Sequence, residues 1–337
     1  MDPVTLTVIL IIAFALAFNL SNGWNDAANA IATVISTRVL SPGVAILFGS
    51  ALNFAGALVS GEVAKTVGAG IAQQQVMTGA VLLSAVVTAP IWVTWCTLKG
   101  LPMSCSHSLL GALIGAAIAA GGAPGLKLKG ILEIVYGVVV SPILGFVLGF
   151  LLARFITRVF ARVRPRVGSA VFGKLQLVSA GAMSFAHGTG DAQKAMGIIS
   201  AALLYAGWTQ KVGAEELPVP FWVKLLCAVT MALGTAIGGR AVIRTLGSRL
   251  AHLRTYQGFS AETGAAATIL ANTLYGVPIS TTHSITGAVL GVGAERGVKM
   301  VRWGVGRKIV FTWIVTFPIC IAAGALVHVL LKLVGIG

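Results

Sequence analysis

Asn22-Gly-Trp-Asn-Asp-Ala-Ala-Asn29 and His187-Gly-Thr-Gly-Asp-Ala-Gln-Lys194 are two versions of one polar motif, with Asp191 following Asp26 by 165 positions. A second motif repeats in the same way. Pro102-Met-Ser-Cys-Ser-His-Ser108 returns as Pro278-Ile-Ser-Thr-Thr-His-Ser284, and His283 follows His107 by 176 positions. A third pair, the stretch from Gly56 to Thr66 and the stretch from Gly234 to Thr245, matches with one residue inserted. The chain around these motifs is oily. Polar groups cost free energy in a bilayer, so duplicated polar motifs in apolar chain predict a two-fold binding site shared by two repeats.

The surrounding composition fits that reading. The chain is 57% hydrophobic and 10% charged, against about 25% charged in a soluble domain. Apolar runs recur from end to end without strict alternation, which predicts an all-α polytopic membrane protein and excludes a β-barrel. Val4–Leu20 has no basic leader and runs directly into the first polar motif, which argues against a cleaved signal peptide. The net charge of +15 reads as basic loops that orient helices and meet anionic lipid, with no nucleic-acid partner. Cys96, Cys105, Cys227 and Cys320 show no paired spacing and read as small buried side chains.

Twelve apolar segments can be drawn, six per half: 4–20, 26–37, 43–60, 76–98, 104–120 and 131–153, then 172–187, 192–206, 221–239, 261–277, 282–294 and 309–334. Basic residues cluster in three places. These are Arg154 to Lys174, Arg240 to Arg254, and Arg296 to Lys308, and the positive-inside rule assigns all three to the cytoplasm. The 207–220 loop, with Glu215 and Glu216, then lies outside. On this count the short segments on either side of each Asp make one crossing, broken at the motif. Each half crosses an odd number of times, so the halves form inverted-topology repeats with broken or re-entrant helices, about 10 net crossings in all. The expected division is 1–153 for the first repeat, 154–174 for a basic cytoplasmic linker, and 175–337 for the second repeat. Both termini are expected outside.

The motifs divide by chemistry. Asp26 and Asp191, with Asn25, Asn29 and Gln193, offer side-chain oxygens for a cation, sodium at the two carboxylates or a proton. A helix cap at the membrane edge is the plainer alternative for an Asp in such a place. In each elbow a proline ends the incoming chain and hydroxyls fall at a helix start. Ser104, Ser106 and Ser108, with Ser280, Thr281 and Thr282, therefore resemble an anion site made of hydroxyl donors and free N–H groups. Ordinary N-capping is the alternative. His107 and His283 either brace the elbows or contact the anion. Lys194 can touch an anion or pair with Asp191. Carboxylates beside an anion site would repel the anion unless cations intervene, which points to co-transport.

Asn25-Asp-Ala-Ala-Asn-Ala-Ile-Ala32, Gly188-Thr-Gly-Asp-Ala-Gln-Lys-Ala-Met-Gly197 and the two Pro-x-Ser-x-x-His elbows resemble the PiT inorganic phosphate transporter family over nearly the whole chain. The length resembles its compact prokaryotic members. The resemblance implies a secondary transporter and not an enzyme. On that resemblance the expected activity is import of phosphate across the cytoplasmic membrane by alternating access, coupled to sodium or protons, with no cofactor. It also implies a homodimer and a PhoU-like cytoplasmic regulator. Sulfate or a metal–phosphate complex is the alternative cargo, and an anion channel the alternative class. An intramembrane Ser-His-Asp hydrolase fails because Ser lies two residues before His on one turn and nothing orients a triad. Gly190 departs from the family, which carries Asn before the second Asp.

Overall fold

The computed structural model describes residues 2–59, 61–210 and 217–336. Among them are twelve α-helices and no named strand. The first half runs α1 (Pro3–Ser36), α2 (Pro42–Ala57), α3 (Glu62–Lys65) continuing as a π-turn over Thr66–Gly70, α4 (Gly79–Leu98), α5 (Cys105–Gly121), a 3-10 turn at Ala123–Gly125, and α6 (Leu128–Val159). The second half repeats the series: α7 (Pro165–Tyr205), α8 (Phe221–Ile237), α9 (Arg240–Arg244) with a π-turn over Thr245–Arg249, α10 (Thr255–Leu274), α11 (Thr281–Glu295), a 3-10 turn at Val298–Met300, and α12 (Trp303–Leu333). Both last helices contain an internal proline, Pro142 and Pro318. Glu215, Glu216 and Ser60 lie outside the described residues.

One expectation is corrected. The Asp motifs do not break their crossings: α1 and α7 are continuous helices of 34 and 41 residues, and Asp26 and Asp191 sit inside them. The reason is the solvent. Each glycine inside a helix costs about 1 kcal/mol relative to alanine. Opening a helix in hydrocarbon strands N–H and C=O groups with no water to take them, at several kcal/mol each. Neither Asp motif therefore frees a main-chain carbonyl.

The real bends lie at the third repeated pair. α2 and α3 meet at 67°, α8 and α9 at 63°. The basic stretch 154–174 is also mostly helix: Arg154 and Arg158 belong to α6, and Arg166 and Lys174 to α7.

Each half packs on the other by exchange. α1 lies against α8 and α7 against α2; α5 lies against α12 and α11 against α6. The close approaches repeat as well. A Cβ on Gly234 would overlap the Leu20 carbonyl oxygen, and one on Gly56 would overlap that of Phe185, the residue matching Leu20. Along α1 and α8 the register advances together, with Asn19 Nδ2 donating to Cys227 O at 2.6 Å and Gly23 beside Gly234. Along α2 and α7 it also advances together, from Phe48 beside Gly181 to Asn53 beside Gly188. α1 and α2 join through the short turn at 37–41, and Gly49 lies beside Ile31.

Among the described residues α1, α4, α6 and α12 are long and apolar enough to cross a membrane, and the two bent pairs bring the number to six. α7 and α10 have the length, but polar side chains occupy their middles. The outer face of α6 exposes Leu132, Val135, Val139 and Ile143 at helical spacing, a surface suited to lipid.

Candidate functional site

On α1 the side chains of Asn22, Asn25, Asp26, Asn29 and Thr33 follow helical spacing and form one buried polar stripe. On α7 His187, Asp191 and Lys194 do the same. The two helices pack together, so the stripes face each other, and the second elbow closes the space between them. Thr281 Oγ1 donates to Asp191 Oδ2 at 3.2 Å and lies 3.5 Å from Asp26 Oδ2. Thr282 Oγ1 lies 3.2 Å from Asp26 Oδ1. Asn29 Nδ2 donates to both hydroxyls, at 3.3 and 2.9 Å. His187 Nε2 stands between the carboxylates, 3.8 Å from Asp26 and 3.4 Å from Asp191. Lys194 Nζ pairs with Asp191 Oδ1 at 2.5 Å. Every one of these side chains is buried, with Asp26 and Asp191 each only 1% exposed.

The elbows lock to one another symmetrically. Ser106 Oγ donates to Ile279 O, and Thr282 Oγ1 to Met103 O, both at 3.0 Å. Ser104 and Ser280 act as helix caps, accepting from the N–H of His107 and of His283 at 3.2 Å each. Ser108 and Ser284 donate back to the carbonyls of Ser104 and Ser280. The two imidazoles meet edge to face at 4.5 Å, with Phe317 against His107 and Trp313 stacked on His283. His283 Nδ1 lies 3.3 Å from Val138 O, while both nitrogens of His107 and Nε2 of His283 are buried without a hydrogen-bond partner. Cys105 stands where Thr281 does, so only the second elbow offers two hydroxyls to the carboxylates.

The expected residues thus separate. Asp26, Asn29, Asp191, Lys194, Thr281 and Thr282 come together, and Asn25 lies beside them, donating to Thr97 Oγ1 at 2.7 Å. Gln193 does not join. Its amide oxygen accepts from the N–H groups of Val63 and Ala64, and its nitrogen donates to Thr189 O, so it caps α3.

Two features escaped the sequence reading. His187 belongs to the centre; its place four residues before Asp191 on the same helix face was the available signal. Its Nδ1 lies 2.9 Å from Asn53 Oδ1, and Asn53 Nδ2 donates to Thr235. The second is Glu262 on α10. Its Oε1 accepts from Thr33 Oγ1 at 2.5 Å and from Gln176 Nε2 at 3.0 Å, and its Oε2 accepts from Ser179 Oγ at 2.5 Å. Thr37 then donates to Gln176 and lines a cavity of about 730 Å³ flanked by Arg38 and Arg254. At the matching end of α7, a cavity of about 190 Å³ lies by Tyr205 and Lys127.

Several buried polar atoms at the centre have no hydrogen-bond partner, among them the Oδ1 atoms of Asn22, Asn25 and Asn29. Buried polar atoms are normally paired. Asp26, His187 and Asp191 bring ligand atoms within 4.8 Å of one another, close enough to hold a metal ion. Carboxylate and amide oxygens suit a hard cation such as sodium. Hydroxyl donors on the adjoining helix start suit an oxyanion.

Residues 22–324 match the model of a family described as the phosphate transporter family. The chain belongs to that family. Among its relatives is a protein of Rhizobium meliloti (strain 1021) described as "Probable low-affinity inorganic phosphate transporter", 43% identical over 94% of both chains. A Bacillus subtilis (strain 168) protein of the same description is 40% identical over 99% of this chain and all of its own. A solved structure described as "The sodium-dependent phosphate transporter" superposes with a TM-score of 0.86 at 27% identity, covering 97% of this chain and 99% of that one. Family membership and the apolar helices make this a multi-pass membrane protein. The family and these relatives are transporters, as the motifs implied, and not enzymes.

Proposed function

We propose that the chain imports inorganic phosphate across the cytoplasmic membrane by alternating access, with sodium or protons carried alongside. The observation that carries this reading is the buried centre. There, Thr281 and Thr282 hydroxyls face two carboxylates beside three unpartnered Asn oxygens. An anion held by those hydroxyls lies against Asp26 and Asp191. In a low-dielectric interior that repulsion is prohibitive unless a cation enters with it. Sodium is favoured because the structural relative is described as sodium-dependent.

A site this enclosed suits a carrier better than an open channel. Phosphate is favoured over sulfate because a protonated phosphate oxygen can donate to a carboxylate, and sulfate cannot. The packing registers support the inverted arrangement. α2 folds back on α1 and α7 runs parallel to α2, so α7 opposes its counterpart α1. With that arrangement the basic ends face the cytoplasm, both termini lie outside, and 1–153 and 175–337 are the two repeats. A homodimer and a PhoU-like regulator on the cytoplasmic side complete the proposal.

Phosphate uptake into proteoliposomes under imposed sodium or proton gradients tests it. Saturable uptake driven by one gradient is expected. Uptake that neither saturates nor follows a cation gradient would favour a channel. Strong competition by unlabelled sulfate would sink phosphate as the cargo.

A further inference from the structure

The two motif helices match in the chain and differ in chemistry. Asp26 is flanked by Asn22, Asn25 and Asn29; the same offsets from Asp191 hold His187, Gly190 and Lys194. The α1 face therefore presents three amide oxygens, and none of the three Oδ1 atoms has a hydrogen-bond partner. The α7 face presents none. In the place of Asn29 it carries Lys194, whose ammonium pairs with Asp191 Oδ1 at 2.5 Å, both groups 1% exposed. Position 190 is closely surrounded by side chains. A Cβ there would come 3.2 Å from Thr273 Oγ1 and 3.5 Å from Ile269 Cγ2. Thr273 is the counterpart of Thr97, which Asn25 bonds.

Buried, unpartnered amide oxygens on the same helix face as a carboxylate suit a hard cation. A buried ammonium already seated on the matching carboxylate excludes one, because removing either partner of such a pair leaves a costly unpaired charge. We propose that Lys194 is a tethered counter-cation for Asp191. The central site then takes up one travelling cation fewer per phosphate than a symmetric site would, and the travelling cation binds on the Asp26 face. This inference rests on reading the centre as a coupled anion–cation site. Lys194 travels with the protein in the loaded and the empty carrier alike, so less of the membrane potential drives each phosphate.

The test counts cations. The purified full chain is titrated with inorganic phosphate in weakly buffered sodium chloride containing radiolabelled sodium. Bound sodium plus protons taken up gives the total per phosphate. Lys194→Asn should take up one more cation than the unaltered chain. Lys194→Arg should match the unaltered chain, and so should Lys194→Asn combined with Asp191→Asn. Equal totals for Lys194→Asn and the unaltered chain overturn the inference and leave the transport reading intact. If Lys194→Asn binds no phosphate, the double variant decides. Restored binding supports a counter-cation, and continued loss assigns Lys194 to the anion and overturns it. If the unaltered chain binds no phosphate, the proposed function falls, and this inference with it.

Discussion

The elbows and the motif helices are both duplicated, yet they have aged differently. In the elbows the capping and interlocking hydrogen bonds are kept in both copies, although Cys105 stands where Thr281 does. Ser104 and Ser280 cap at the same distance, and Ser106 and Thr282 each donate to the opposite elbow at 3.0 Å. In the motif helices Gly23 and Gly188, Asp26 and Asp191, and Ala27 and Ala192 match, while the three amide positions around the carboxylate changed to imidazole, hydrogen and ammonium. The elbows hold each other, so a change in one would unsettle its partner. The motif helices meet across the buried centre, where the two sides need not do the same work.

Replacing the carboxylates should give the largest effects and expose the asymmetry directly. Asp26→Asn should reduce proteoliposome phosphate uptake to the level of empty vesicles with little change in thermal unfolding. Asp191→Asn should abolish uptake too, and should lower stability by about 3–5 kcal/mol, because Lys194 is left buried without its partner. Equal unfolding midpoints in the two variants would argue against the Lys194–Asp191 pairing.

Next come the helix crossings, where symmetry should hold. Gly56→Ala and Gly234→Ala each push a methyl into a facing carbonyl, Phe185 or Leu20. Each should destabilise by about 1–3 kcal/mol, and by similar amounts. Markedly unequal losses in detergent unfolding would show that the two halves do not pack alike.

The smallest effects separate scaffold from site within the elbows. Ser106→Ala and Thr282→Ala each leave one buried carbonyl without its donor, a cost of roughly 1–3 kcal/mol. Thr282 also touches Asp26 and Asn29. Phosphate affinity should therefore weaken in Thr282→Ala and remain near normal in Ser106→Ala. Equal affinities in both would remove Thr282 from the site.

Much of this was legible in the linear chain. The apolar composition limits the fold to helices, and the repeated motifs identify the two equivalent halves and most of the central residues. Asp26, Asn29, Asp191, Thr281 and Thr282 were read from their residue types alone. Other features were not legible. A polar motif between two short apolar segments looks like a helix break, and in water a broken backbone is cheap. Packed inside a bilayer protein the backbone has no such alternative, so α1 and α7 continue through. Gln193 looked like a ligand because it stands beside Asp191, but its side chain leaves the helix on another face and caps α3. Glu262 had no motif to mark it in the linear chain. Only the meeting of α1, α7 and α10 surrounds it with Thr33, Gln176 and Ser179.

The sequence by itself determined an all-helical membrane protein with two copies of an acid-bearing motif and two hydroxyl elbows. These follow from composition, repetition and residue type, which need no third dimension. Only the tertiary structure decided that both carboxylates share one buried centre with the second elbow, that His187 lies between them, and that Lys194 belongs to Asp191. Helix spacing gives each side chain a face. Which faces meet depends on how distant segments pack, and that packing is set by close glycine approaches between residues far apart in the chain.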